Sequence, residues 1–321
     1  LIGNSIIKSG QANNLDEAIG VVNEGFEQYK SYVEYSLNLE FDPRNIVGDD
    51  YKNSNEKYYG NADCIGPNSF HGTHVAGIIA ASRNNGVGMD GIASDVRIMA
   101  IRCVPDGDER DKDIANGIRY ATDNGAKIIN MSFGKKYSWD KKVVDEAVKY
   151  AESKGVLLIH AAGNDGEDID KVTHYPCKKF EGKGEAVNFM DIGALNWQSG
   201  DKIVAGFSNY GKKTVDLFSP GVDIYSTAPK NEYKDASGTS MAAPVTAGVA
   251  AVLKSYYPNL TPEQIKKILI KSSVKNYKSE KVIKPGTKDE LTKFDKLGKN
   301  GGIISLYEAV KMAEKFSKTK T

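Results

Sequence analysis

Apolar and polar positions alternate along this chain in two different rhythms. Through the first 45 residues the sequence is mostly polar. Ala18, Val21, Val22, Phe26 and Tyr29 recur there at helical spacing, with Asn14 or Asp16 placed to cap. This predicts an appended helical segment over 1–45, packed on a core. Residues 46–70, "IVGDDYKNSNEKYYGNADCIGPNSF", are dense in Asn, Gly and Asp and predict loops. From His71 onward a strand–helix rhythm sets in. "HGTHVAGIIAAS" predicts a helix with small residues on its packing face, and "VRIMAIRCV" predicts a strand. A helix over 113–122 ends at Asn124-Gly125. "KIINMSF" is a strand, and a helix over 141–154 ends at Gly155. "VLLIHAA", "FMDIGAL" and "VDLFSPG" are further strands. A long helix rich in small residues runs over 241–257. "TPEQIKKILIKSS" is a helix with Thr261 as cap and Pro262 in its first turn. Nearly continuous apolar strands alternating with helices predict an α/β fold, with a mostly parallel sheet flanked by helices on both faces.

Composition narrows the function classes. The 321 residues, 40% of them apolar, suffice for one large α/β domain or two small ones. Lysine plus arginine number 43 against 42 aspartate plus glutamate, so no one-signed excess points to nucleic acid or a membrane surface. No apolar run approaches a membrane span. Eleven lysines fall between Lys266 and Lys299, interleaved with Ser, Asp and Glu and without an aromatic platform, so they predict a solvated face. Cys64, Cys103 and Cys177 form neither a metal spacing nor a disulfide framework, leaving one disulfide or free buried thiols. The chain opens Leu-Ile-Gly-Asn-Ser, with neither methionine nor a signal pattern, and is expected to be the interior of a longer protein.

Three stretches could carry chemistry. "SGTSMAAP" puts Ser240 at a helix start, where its own N–H is an unpaired donor and the dipole favours an anion. Taken alone, a serine or threonine there fits a helix cap equally well. All four histidines, His71, His74, His160 and His174, precede Ser240, which disfavours the esterase and lipase order in which the base follows the nucleophile. "HGTHVAG" places His71 just before a helix as the candidate base, with His74 turned into the body as a structural residue. No third ligand accompanies this pair, which argues against zinc. "HAAGNDG" puts Asn164 at the carboxyl end of a parallel strand, where open α/β sheets place ligands. Alone, that stretch is a turn. "NMSFG" ends another strand and offers an edge on which an extended peptide could pair.

Together, "HGTHVAG", "NMSFG", "HAAGN" and "GTSMAAP" resemble, in order, the histidine, substrate-strand, oxyanion-asparagine and serine motifs of the subtilisin-like serine proteases (peptidase family S8). The resemblance runs from about residue 60 to about 310. The stretch from Val96 to Lys135 is similar to a Bacteroidetes-type subgroup whose members are typically exported, which implies a secreted or cell-envelope protein. A peptidase domain over 46–321 follows. The resemblance implies Ser240 as nucleophile, His71 as base, and the Asn164 side chain with the Ser240 N–H as oxyanion hole. It further implies that Ser132, Phe133, Gly134, Ala161, Ala162 and Gly163 wall the primary specificity pocket. The acidic run Val104 to Asp113 would form an outer rim preferring basic or neutral residues. Polypeptide substrates follow, with no cofactor. Calcium is a habit of this fold, and no D-x-[DN]-x-[DN]-G loop assigns it a place here.

The pattern departs from the family in one respect. No apolar strand ending in Asp-(Ser/Thr)-Gly precedes His71. Asp42 is followed by proline, and "NIVG" before Asp49 is too short for a buried strand. The expectation is that the aspartate lies on a segment or chain before Leu1. Substitution by Asp49 or Asp50 ranks second. Loss of the residue, leaving an inactive peptide-binding relative, ranks third.

Overall fold

A computed structural model describes residues 14–318, Asp106 and Asp108 excepted. The chain divides into two compact units. One comprises residues 1–62 with 103–110, the other 63–102 with 111–321.

In the smaller unit, helix α1 (Leu15–Ser31) continues into a π-helical turn (Tyr32–Ser36), and α2 (Arg44–Val47) is one turn long. The expected packing of α1 on a core is only partly met. Ala18 is buried, but Val22, Phe26 and Tyr29 are 41%, 62% and 76% exposed. Spacing set the helical period correctly, but a stripe this exposed contributes little burial energy.

In the larger unit, helix α3 (Phe70–Ala80) leads, followed by α4 (Asp111–Asp123), strand β1 (Ile128–Met131) and α5 (Lys141–Ser153). Strands β2 (Leu157–Ala161), β3 (Phe189–Leu195) and β4 (Val215–Pro220) follow, then β5 (Ile224–Ala228) and β6 (Glu232–Ala236). Helices α6 (Thr239–Tyr256) and α7 (Pro262–Ser272), strands β7 (Lys281–Ile283) and β8 (Leu291–Lys293), and helix α8 (Leu306–Lys318) complete it. Local chemistry sets these limits. Gly125 and Gly155, at φ 86° and 70°, take the left-handed conformation that stops α4 and α5. Asp140 caps α5 by accepting from the Val143 N–H. Thr261 and Gln264 form a reciprocal capping box on α7.

Strands β1 to β4 pair in parallel in the order β1-β2-β3-β4, with helices around them. This is the predicted α/β architecture. Leu157, Ile159, Met190, Ile192 and Leu217 meet Ala242, Ala243, Ala247 and Ala250 of α6 in one buried cluster. Alanines on that face let the helix lie close to the sheet. Helix α3 is drawn against the β5–β6 ribbon. Ser226 and Thr227 hydroxyls donate to the His74 and Thr73 carbonyls. Gly77 permits that approach, since a Cβ there would sit 2.1 Å from Thr227 Oγ1.

Two expectations are corrected. The predicted strand "VRIMAIRCV" forms no sheet pairing among the described residues, and Ile98, Met99 and Val104 are 46%, 41% and 40% exposed. The thiols are free, but not all are buried: Cys64 is exposed and the other two are half-buried. The ribbons β5–β6 and β7–β8 and helix α8 are additions that the periodicity did not mark.

Candidate active site

Ser240 is the second residue of α6, so no helical carbonyl lies upstream to receive its N–H. Four residues on, Pro244 has no N–H to give back to the Ser240 carbonyl. Ser132, just beyond β1, fills that place: its Oγ donates to the Ser240 carbonyl at 2.8 Å. The Ser240 hydroxyl in turn donates to the Ser132 carbonyl at 3.2 Å. The proline thus couples the serine helix to the end of β1.

Asn164 follows β2 on an exposed turn. Its Oδ1 accepts from both the N–H and the hydroxyl of Thr239, each at 2.8 Å. With the oxygen so engaged, the amide Nδ2 is the end left to donate. It faces Gly238, where a Cβ would sit 3.5 Å away. Thr239 is buried and its Oγ1 also accepts from the Gly163 N–H at 3.1 Å. Asn209, fully buried, braces the same turn. Its Oδ1 accepts from the Asp165 and Glu167 N–H groups, and its amide donates to the Ala162 carbonyl. Sequence reasoning missed Thr239 and Asn209. Thr239 lies inside the "GTS" stretch, where it looked like one more cap residue.

His71 lies in the first turn of α3, and Val75, one turn on, packs with Met241 next to Ser240 in a shared apolar cluster. The imidazole makes no hydrogen bond among the described residues. The residue is exposed at the surface, yet partial loss of hydration around the ring, then the neighbouring His74, pull its pKa below the usual 6.5. His74 is fully buried, with Nε2 3.0 Å from the Lys234 carbonyl, as befits a structural residue. Asp49 is engaged by Arg44 at 3.0 Å, and Asp50 Oδ1 accepts from the Lys52 N–H within its own turn.

Ser132, Ala161 and Ala162 are buried, and Phe133 and Gly163 half-buried. Gly134 is open to solvent on an edge that continues at Lys135, whose backbone exchanges two hydrogen bonds with Tyr175. The acidic rim is corrected in part. Asp111 is buried, not solvated, and holds Lys135 at 3.1 Å together with the Ser138 hydroxyl and the Asp140 N–H. Asp106 and Asp108 lie outside the described residues.

Asp165, Glu167 and His174 form a group with metal-ligand spacing. Lys136 Nζ sits 3.4 Å from Asp165 and 3.0 Å from Glu167, so an ammonium already offsets part of its negative charge. Hydrogen bonding to Lys136 holds the Glu167 carboxyl low, and the same contact raises the lysine. A histidine donor and a resident ammonium do not suit calcium, which takes oxygen ligands.

A parallel sheet that delivers an amide and a helix-start serine to one place defines a hydrolase-like α/β protein. The chain belongs to the Subtilase family (Peptidase S8), whose profile matches residues 16–299. It is 43% identical over 186 residues to a thermophilic serine proteinase of Bacillus sp. (strain AK1), covering 58% of this chain and 42% of that protein. It is 41% identical over 186 residues to thermitase of Thermoactinomyces vulgaris, covering 58% of this chain and 61% of the relative. The chain thus spans only about half the length of such curated relatives. A cold-adapted subtilisin-like serine proteinase of known structure superposes with a TM-score of 0.58 at 29% identity, covering 77% of this chain and 76% of that one.

Proposed function

We propose that this chain is the principal part of a serine endopeptidase that hydrolyses peptide bonds in polypeptide substrates. Residues 46–321 carry the machinery and 1–45 an appendage. Ser240 Oγ attacks the scissile carbonyl. His71 accepts its proton and returns it to the leaving amine, and Asn164 Nδ2 with the Ser240 N–H receives the oxyanion. The substrate lies along Ser132 to Gly134 and Ala161 to Gly163. The observation that carries this reading is the orientation of Asn164: Thr239 holds its oxygen twice over, which leaves its amide as the donor beside the serine turn.

The orienting carboxylate comes, in this reading, from a strand outside residues 1–321 that pairs along β1. Two features support this. Among the described residues, strand β1 lies at the edge of the sheet, and Asn130 Oδ1 upon it is buried without a partner. Export to the cell envelope or medium follows from the Bacteroidetes-type resemblance. Among the described residues no helix is long and apolar enough to cross a membrane.

A second reading, a peptide-binding module without catalysis, draws on the Ser240 hydroxyl being turned to the Ser132 carbonyl. A fluorophosphonate probe separates the two. Labelling at Ser240 that disappears in Ser240→Ala supports the peptidase. A folded chain that binds peptides yet never labels, even with a peptide supplying an Asp-Ser-Gly strand, supports the binding module.

A further inference from the structure

His160 has no counterpart in the mechanism above, yet its side chain touches the substrate edge. It lies on β2, 2% exposed, aligned with Met131 of β1 and Asp191 of β3. Its Nδ1 is 2.8 Å from Asp191 Oδ1 and its Nε2 is 2.9 Å from the Phe133 carbonyl. Both partners are acceptors. A neutral imidazole carries one N–H and can satisfy only one of them; both bonds exist together only when both nitrogens are protonated.

The surroundings suit that charge. Burial alone would raise the Asp191 carboxyl, but Lys178 and His160 hold it below its usual range, so it remains an anion. Lys178 Nζ lies 3.1 Å from Asp191 and also bonds Asp216 on β4, with Lys299 3.5 Å from the other Asp216 oxygen. His160 therefore faces Asp191 directly, within a group in which Lys178, Lys299 and Lys266 also surround Asp191 and Asp216. A small cavity of about 30 Å³, which His174 also lines, opens onto the ring. Cys177, which lines the same cavity, is pushed up by burial and stays a neutral thiol.

The edge itself shows what the contact does. Phe133 and Lys135, two residues apart, both direct backbone groups inward, to His160 and to Tyr175. Strand alternation then turns the Ser132 and Gly134 backbone outward, where an extended peptide would pair.

We infer that His160 is a positioning residue: as an imidazolium bridging Asp191 to the Phe133 carbonyl, it sets the register and rigidity of the Ser132–Gly134 edge for peptide substrates. This rests on the peptidase reading for its kinetic consequence, but not for its protonation.

Two measurements test it. In nitrogen NMR of the histidine-labelled chain at neutral pH, His160 should show both ring nitrogens protonated; a single neutral tautomer overturns the inference, and no variant need fold. In the second, His160→Ala and Asp191→Asn, each checked for folding by circular dichroism, are compared with wild type on a tetrapeptide p-nitroanilide. For His160→Ala, KM should rise roughly tenfold, the scale of one lost hydrogen bond, with a smaller change in kcat. An unchanged KM, or a loss confined to kcat, overturns the inference. Should wild type neither cleave nor label with fluorophosphonate, the peptidase reading fails. The NMR result and tetrapeptide binding by calorimetry still decide the role of His160.

Discussion

In the proposed mechanism, Asn164 and Thr239 make a turn into an oxyanion site. The side-chain oxygen of Asn164 is satisfied twice by one residue, so its amide has a fixed direction before any substrate arrives. Such preorganised donors are where most of the electrostatic stabilisation of a transition state resides. Asn164→Ala should lower kcat by roughly 10²–10³ with KM little changed, a magnitude the handling of this donor in a subtilisin has already established. Thr239→Val keeps the volume and removes the hydroxyl, freeing both Asn164 and the Gly163 N–H. It should lower kcat by about tenfold, since the amide donor stays but loses its aim. A Thr239→Val chain with wild-type kcat would show that Asn164 is held by other means. His71 gives a pH test. Desolvation lowers its pKa below 6.5, so the neutral base persists into mild acid. The acid limb of Ser240 labelling by fluorophosphonate should therefore lie below pH 6.5, and a carboxylate docked beside the ring should move it upward. A limb above that value in the chain alone would contradict the desolvated environment.

At the scale of elements, legibility depended on whether an element is a local object. Helices α4 to α7 were readable because period, cap and stop all lie within their own residues, as with Thr261 and Gln264 on α7. Strands β1 to β4 were readable as apolar runs between glycine-marked turns. "VRIMAIRCV" has the same composition but no hydrogen-bonding neighbour among the described residues, and a strand exists only in a pair. The β5–β6 ribbon escaped notice because its five-residue strands carry little periodicity. Its stability comes from a cross-strand stack of Tyr225 on Tyr233 at 5.7 Å and from contacts far apart in sequence, such as Ser226 bonded to the His74 carbonyl. The site split the same way. Ser240, His71 and Asn164 stand in recognisable stretches, whereas Thr239, Asn209 and His160 act through partners that only the fold supplies. Strand β1 carries its own prediction. Among the described residues its outer edge has no pairing strand, and its half-buried Ile128 and Ile129 are apolar, a template for association. Residues 1–321 expressed alone should self-associate in sedimentation velocity, and a peptide bearing an apolar Asp-Ser-Gly strand should suppress this. A stable monomer with full activity would remove the case for a missing strand.

For the whole molecule, near-neutral charge conceals a strong internal imbalance if any one member of the buried ion group is removed. Lys178 is 2% exposed and spans Asp191 on β3 and Asp216 on β4, so it bridges two neighbouring strands of the sheet through their side chains. Burial alone would depress its pKa, but the two carboxylates outweigh that and hold the ammonium charged. Lys178→Met would leave two carboxylates facing each other in the interior, with His160, the half-exposed Lys299 and the more distant Lys266 to offset them. The expected loss is about 3–5 kcal/mol in urea unfolding, the cost of breaking a buried pair by removing one partner. Restoring neutrality in the same background with Asp216→Asn should recover a large part of it. A double variant no more stable than the single one would mean that Lys178 contributes packing rather than charge. The pH dependence follows from the direction of the Asp191 shift. A carboxyl whose folded pKa is below 3.8 contributes stability that is complete above that value and is lost as pH falls through the folded pKa. His71, also depressed, favours the folded state above 6.5 and withdraws that contribution between 6.5 and its own folded pKa. Wild type should therefore weaken in two stages on acidification, one beginning near 6.5 and one below 3.8, and His71→Ala should lose only the first. Urea midpoints measured across that range check both stages. A single transition unaffected by His71→Ala would refute the assignment of the upper stage to the desolvated imidazole.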